Sequence, residues 1–195
     1  MSTELSPRAS EIAAHTKILL AAGGYNGFSY ADLSERVHIG KASIHHHFPS
    51  KADLVLTVVA LHREQFRAGV TALDQKLGDP LARLQGYVDY WAQCIRDGSP
   101  SMCICAMLAA EAPIIPQEIT DEVRRYFEDL IGWLTRVLEE GAAAGQFHLR
   151  ESALSEAQAF MSIVHGAMLT ARAMGNPEAF KSVCQAAIQQ LTTQA

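Results

Sequence analysis

The sequence lacks any apolar run approaching the roughly 20 residues that a bilayer-crossing helix needs. The longest such runs, for example Leu54 to Leu61, are broken by Thr57. Charge is sparse, at 19%, but 49% of the residues are hydrophobic, so the polar bias of a disordered chain is missing as well. The first residues, Met1 to Ser10, contain Glu4 and no apolar block after a basic start, which argues against a secretory signal and predicts a cytoplasmic protein with no membrane partner. Only four cysteines are present, Cys94, Cys103, Cys105 and Cys184, and they match neither a disulfide framework nor two spaced zinc pairs. No sustained alternation of apolar and polar residues covers a strand length, so the expected fold class is all-α. Internal repeats and low-complexity tracts are also missing.

What is present is a chain of 195 residues, long enough for one compact unit or for a domain of about 50 residues joined to a larger one. A net charge of -5 argues against nucleic acid until its distribution is considered. Residues 1–67 hold seven Lys/Arg against six Asp/Glu, whereas residues 68–195 hold nine against fifteen. Six of the eight histidines (His15, His38, His45, His46, His47 and His62) also fall in the first segment. Phosphates nearby would favour their charged forms, so only the N-terminal third suits a DNA face.

Local signals divide that third into short helices. Ser6 and Pro7 form a cap and a first-turn proline, after which Ile12, Thr16, Leu19 and Leu20 line one face until Gly23 and Gly24. Ser29 to Asp32 is a capping box opening a second helix that carries Leu33 and Val37. His38-Ile39-Gly40 forms a tight turn, a third helix runs from Lys41 to about His47, and Phe48-Pro49 ends it. Ser50 to Asp53 is a second box, starting a long helix that carries Leu54, Val58 and Leu61 and could reach Gly78. Further helices are expected at about 80–97, 102–111, 118–144, 152–174 and 177–193, separated by Gly98-Ser99-Pro100, the Pro113 to Pro116 bend, Gly145-Gln146 and Gly175-Asn176-Pro177.

Two short helices joined by a three-residue turn and buttressed by a first helix form a helix-turn-helix, which delivers a recognition helix into the major groove. The stretch GYNGFSYADLSERVHIGKASIHHHFPSKADL, residues 24–54, closely resembles the signature of the TetR/AcrR family. The resemblance implies a DNA-binding domain over residues 1–50 and an effector-binding and dimerisation domain over residues 51–195. By position it implies that Ser29 and Tyr30 meet phosphate at a helix N-terminus, that Lys41, Ala42, Ser43, His45 and His46 lie on the recognition face, and that Lys51 binds phosphate. The chain departs from the pattern at four places. His38 replaces the turn glycine, Gly40 the Ser/Thr cap, His45 the recognition-helix tyrosine, and Ala31 a long base-reading side chain of some relatives. The run His45-His46-His47 points in directions about 100° apart and cannot converge on one ion, so no metal or cofactor is expected.

Residues 80–174 carry soft and aromatic side chains at helical spacing. Most suit a core, but Trp91, Cys94, Cys103, Met107, Glu111, Phe127, Met161, His165 and Met168 are candidates for an effector pocket, with Glu111 and His165 as polar anchors. The segment Ser99 to Glu111 is similar to that of a TetR subgroup whose sensor cysteine reacts with electrophiles or oxidants, with Cys103 at the matching position. An inert buried thiol stays open as the alternative. If one helix carried both, Cys105 would lie about 200° around from Cys103, and the two could not easily meet. The last two helices pair Leu154, Met161, Val164 and Met168 with Phe180, Val183, Cys184, Ala187, Ile188 and Leu191, and in the family such a pair forms the homodimer. The implied function is a repressor released from double-stranded operator DNA by a small-molecule or electrophilic effector. The alternatives are an enzyme using Cys103 with His165, for which no nucleophile elbow, phosphate loop or HExxH motif is found, and a ligand-insensitive architectural DNA binder.

Overall fold

The computed structural model describes residues 5–98 and 102–193, and among these residues it contains helices and no strand. In chain order the helices are α1 (Pro7–Gly23), α2 (Tyr30–Val37), α3 (Lys41–His47), α4 (Lys51–Lys76), α5 (Pro80–Asp97), α6 (Ile104–Ala110), α7 (Gln117–Ala143), α8 (Ala153–Ala173) and α9 (Pro177–Thr192), with a 3-10 turn at Ala112–Ile114. Each expected helix is present, the ends differing by a few residues. The expected break at Ser99 and Pro100, and the start of the Ser99 to Glu111 segment, lie outside the described residues.

The chain forms two compact units, Met1–Glu64 with Met102–Arg125, and Gln65–Ser101 with Tyr126–Ala195. A single cut after residue 50 does not reproduce them. In the first unit α1 packs on both α2 and α6, so a segment distant in sequence and the first half of α4 join the N-terminal helices. The long helices α4 and α7 each contribute residues to both units.

In the first unit, caps decide where helices begin. Ser6 Oγ accepts the Ala9 N–H at 3.3 Å and Pro7 fills the first turn, after which Ile12, Ala13, Thr16 and Leu20 are buried. Ser29 Oγ accepts from Ala31 and Asp32, and Asp32 Oδ2 accepts the Ser29 N–H at 2.7 Å, closing the box that starts α2. Ser50 and Asp53 repeat this arrangement before α4. Helix α2 ends on His38, whose φ of 52° and ψ of 41° put a side chain where glycine is favoured. Gly40 starts α3 with no side-chain bond. At 26 residues α4 is about 39 Å long.

The second unit rests on apolar faces. Helix α9 packs on α8 and α5; Phe180, Cys184, Ala187, Ile188 and Leu191 are buried on α9, and Phe160, Val164 and Met168 are among those buried on α8. Arg83, also buried, donates to Glu140 Oε2 at 2.5 Å and to Asp74 Oδ1 at 3.4 Å, and Asp74 accepts the Trp133 indole N–H at 3.0 Å. Arg83, Glu140, Asp74 and Trp133 thus form one hydrogen-bonded network that offsets the desolvation of the guanidinium. No helix among the described residues is long and apolar enough to cross a membrane.

Candidate nucleic-acid interface

Helix α3 buries one of its side chains in the first unit. Ile44 is completely buried, while Lys41, Ala42, Ser43, His45 and His46 are exposed and His47 is half-buried. A seven-residue helix is too short to persist by itself, so Ile44 and the flanking Phe48, also buried, set its position. The result is a short ridge that offers an ammonium, a hydroxyl, a methyl group and two imidazoles to solvent. That donor set suits phosphate oxygens and base edges in a major groove.

Neighbouring contacts lock this ridge. The Tyr30 hydroxyl donates to the Phe48 carbonyl at 3.1 Å, joining the start of α2 to the end of α3. The Tyr30 ring packs 4.7 Å from that of His45, and His45 Nδ1–H donates to the Pro49 carbonyl at 3.1 Å, leaving Nε2 as the ring nitrogen available to another partner. Burial, then the nearby Asp53 and Tyr25, push the Tyr30 phenol up to about 12, so it is a neutral donor under ordinary conditions. Ser29 is exposed at the start of α2. Lys51 is turned inward: its ammonium donates to the Phe28 carbonyl and lies 4.2 Å from the Phe28 ring centroid and 4.7 Å from that of Tyr25. Burial lowers its pKa, and Glu111 and Asp32 act against that shift. In this structure Lys51 therefore ties α4 to the segment before α2.

Glu111 has a similar bracing place, which sequence reasoning did not anticipate. Its carboxylate accepts the Tyr25 N–H at 2.5 Å and the Asn26 N–H and Nδ2–H at 3.1 Å each. Gly24, at φ 72°, allows this approach, because a Cβ there would fall 2.3 Å from Glu111 Oε2. Glu111 thus caps the turn between α1 and α2 from a position 86 residues away from Tyr25. No local motif signals such a contact.

The remaining candidate effector residues fall in both units. Cys103 and Met107 lie with Glu111 in the first, and Trp91, Cys94, Phe127, Met161, His165 and Met168 in the second. Of the latter, Phe127 and His165 meet edge to face at 5.4 Å, and His165 Nδ1–H donates to the Met161 carbonyl at 2.9 Å. Trp91 and Met168 are buried. A cleft of about 110 Å³ in the second unit is lined by other residues, among them His148, Arg150, Glu156, Phe160 and Leu191. It is smaller than the roughly 300–1,000 Å³ usual for small-molecule sites.

The geometry of the cysteines corrects the expectation that they stay apart. Helix α6 begins at Ile104, and Cys103 precedes it in extended conformation (φ -65°, ψ 121°), so the 100° step per helical residue does not apply between Cys103 and Cys105. Their sulfurs and a ring nitrogen of His62 lie within 4.8 Å of one another. Burial drives the Cys105 thiol well above the usual range, helped by its hydrogen bond with Cys103. A Cys-x-Cys pair is visible in the sequence, but nothing local connects it to His62.

Comparison with known proteins agrees with this architecture. Residues 12–58 match the model of bacterial regulatory proteins, tetR family, and residues 80–187 match that of the tetracyclin repressor-like C-terminal domain. A TetR family transcriptional regulator from Agrobacterium tumefaciens is similar at 44% identity and a TM-score of 0.93, over 95% of this chain and 98% of that one. A TetR transcriptional regulator from Legionella pneumophila is similar at 28% identity and a TM-score of 0.83, over 98% of this chain and 100% of that one. The HTH-type transcriptional regulator RutR of Escherichia coli K12 is 23% identical over 139 residues, and the match spans 65% of each chain.

Proposed function

The chain belongs to the TetR family of bacterial regulatory proteins, and from that premise we propose that it is an operator-binding repressor released by a small-molecule or electrophilic effector. The observation that carries the DNA-binding part is the α3 ridge, anchored by Ile44 and exposing Lys41, Ala42, Ser43, His45 and His46. Ser29 and Tyr30 at the α2 N-terminus and Lys51 at the start of α4 complete the phosphate-facing set, Tyr30 also tying α2 to the end of α3 and Lys51, turned inward in the free protein, tying α4 to Phe28. On this reading residues 1–50 bind DNA and residues 51–195 hold the effector and dimerisation functions, in the cytoplasm and without a membrane partner.

The homodimer forms through α8 and α9. Leu154, Leu169 and Met174 of α8 and its C-terminal turn, and Val183 of α9, are 44–73% exposed in the single chain, apolar side chains that an isologous interface on this helix pair can use. Two recognition helices are then spaced by about one DNA turn, roughly 34 Å, or a multiple of it. The effector acts near Trp91, Cys94, Phe127, Met161, His165 and Met168, or through Cys103, Met107 and Glu111, and shifts a two-state equilibrium by binding one state better. Because α4 and α7 each contribute to both units, they are the elements through which that shift reaches α3. The reading assigns the protein no catalytic activity.

Fluorescence anisotropy of the full-length protein tests the DNA part. A duplex from the region upstream of its own coding sequence should bind at least about 10³-fold more tightly than scrambled DNA at fixed salt. Lys41→Ala should lower the slope of log affinity against log salt by about 1. Equal binding of scrambled DNA overturns the repressor reading in favour of an architectural one. Maleimide treatment of reduced, chelator-treated native protein with mass spectrometry tests the electrophilic arm, and no labelling of Cys103 under these conditions overturns it.

A further inference from the structure

We propose that His62, Cys103 and Cys105 form a binding site for one soft d10 metal ion of the Zn²⁺ or Cu⁺ class. The three residues come from the middle of α4, the residue that caps α6 and the first turn of α6, all within the first unit. One ring nitrogen and two sulfurs lie within 4.8 Å of one another. Metal–sulfur bonds of about 2.3 Å and metal–nitrogen bonds of about 2.0–2.1 Å, at trigonal or tetrahedral angles, place ligand atoms roughly 3.5–4.0 Å apart. Small side-chain rotations therefore close the triangle without moving a helix.

The donors select the ion. Nitrogen and two sulfurs, with no oxygen in the set, exclude Ca²⁺ and Mg²⁺ and favour thiophilic ions. All three residues are buried, at 6% exposure for His62 and 0% for each cysteine. In such a place net charge is costly, and Zn²⁺ with two thiolates and a neutral imidazole is neutral overall. Loading forms one Zn–N and two Zn–S bonds and breaks two S–H bonds, whose protons leave to the buffer. No electron is transferred. Cu⁺ bound in the same way carries one net negative charge, which the buried setting disfavours relative to the neutral zinc form. Three protein ligands suffice for Cu⁺ in trigonal geometry and leave Zn²⁺ one position for an exogenous ligand.

The bound ion would clamp α4 to the beginning of α6, and α6 packs on α1, the helix that also supports α2. Metal occupancy therefore stabilises the unit that carries the recognition helix.

The test uses the full-length protein, reduced and stripped with a chelator. Titration with Co²⁺ should produce thiolate-to-cobalt charge-transfer absorption saturating at one ion per chain, and Zn²⁺ should abolish it. Competition with bicinchoninate measures the Cu⁺ arm, and the tighter ion identifies the class. Cys103→Ser, Cys105→Ser and His62→Gln should each weaken binding by more than about 10-fold, the lower end of the loss seen even for outer-shell partners. Cys94→Ser and Cys184→Ser should not. Should a variant fail to fold, protection of the parent decides: bound metal should shield Cys103 and Cys105 from iodoacetamide, reversibly with chelator, as mapped by mass spectrometry. The proposal is overturned if neither ion binds stoichiometrically to native or metal-refolded protein. Equal affinity in a folded Cys103→Ser/Cys105→Ser double variant, or no protection of these two thiols, also overturns it.

Discussion

In the first unit the α2–α3 pair consists of short helices whose ends are held by polar groups, whereas in the second the α8–α9 pair consists of longer helices that bury more of their faces. Helices α2 and α3 have eight and seven residues, with Leu33 and Val37 buried in one and Ile44 in the other. Helices α8 and α9 have 21 and 16, with six and five buried residues. A reading head must leave most of its surface free for another molecule, so little apolar area remains to hold it. Capping boxes, the Glu111 carboxylate and the Lys51 ammonium supply directional bonds where burial cannot. The α8–α9 pair also has a cap, Ser152 at the start of α8, but rests more on buried area.

Substitutions can break this contrast, beginning with the largest effect. Phe180→Ala removes the largest wholly buried side chain of α9 and should cost about 3–5 kcal/mol in urea unfolding, with α8 and α9 weakened most. A loss under about 1 kcal/mol would mean that area does not hold the second unit. Gly24→Ala combines a left-handed backbone with a Cβ driven into Glu111, and should cost about 1–3 kcal/mol and lower DNA affinity through displacement of α2. Unchanged DNA binding would detach the Glu111 brace from the reading head.

Ser50→Ala deletes a cap at the start of α4 and should cost about 1 kcal/mol, whereas an exposed serine inside α8, Ser162, should tolerate alanine within about 0.5 kcal/mol. Similar losses at both would show that the Ser50 cap adds nothing beyond an ordinary surface serine. The smallest effect is acid dependence. Hydrogen bonds from the Ser29 hydroxyl and N–H hold the Asp32 carboxyl below its ordinary range. Its contribution is thus present above the unfolded carboxylate pKa and lost as pH falls through the lower folded value. Asp32→Asn should flatten that acid limb in thermal melts, and an unchanged limb would show that the box contributes by shape alone.

How much of this could be read in advance follows the same division. Ser6-Pro7, Ser29-x-x-Asp32 and Ser50-x-x-Asp53 act within one helical turn, so the starts of α1, α2 and α4 were legible, as were the family and the span of α3. Leu154 and Val183, expected to pair across the last two helices, are 50% and 44% exposed, because helical spacing identifies an apolar face without saying which neighbour covers it. Glu111 reads as a pocket anchor in the sequence and serves as a cap in the fold. Cys103 and Cys105 read as separated when one helix is assumed to carry both, and meet because the helix begins one residue later.

Local chemistry by itself therefore determined the all-α class, the helix-turn-helix and the exposed α3 ridge, since caps, turns and a 3.6-residue period depend on neighbours in sequence. Only the tertiary structure decided that α6 joins the N-terminal helices, that Glu111 and Lys51 brace the reading head, and that His62 meets Cys103 and Cys105. Those contacts join residues 23 to 86 positions apart in the bonds that define them, at Lys51 to Phe28 and at Glu111 to Tyr25. They arise from how helices pack, and packing depends on the whole set of buried faces at once.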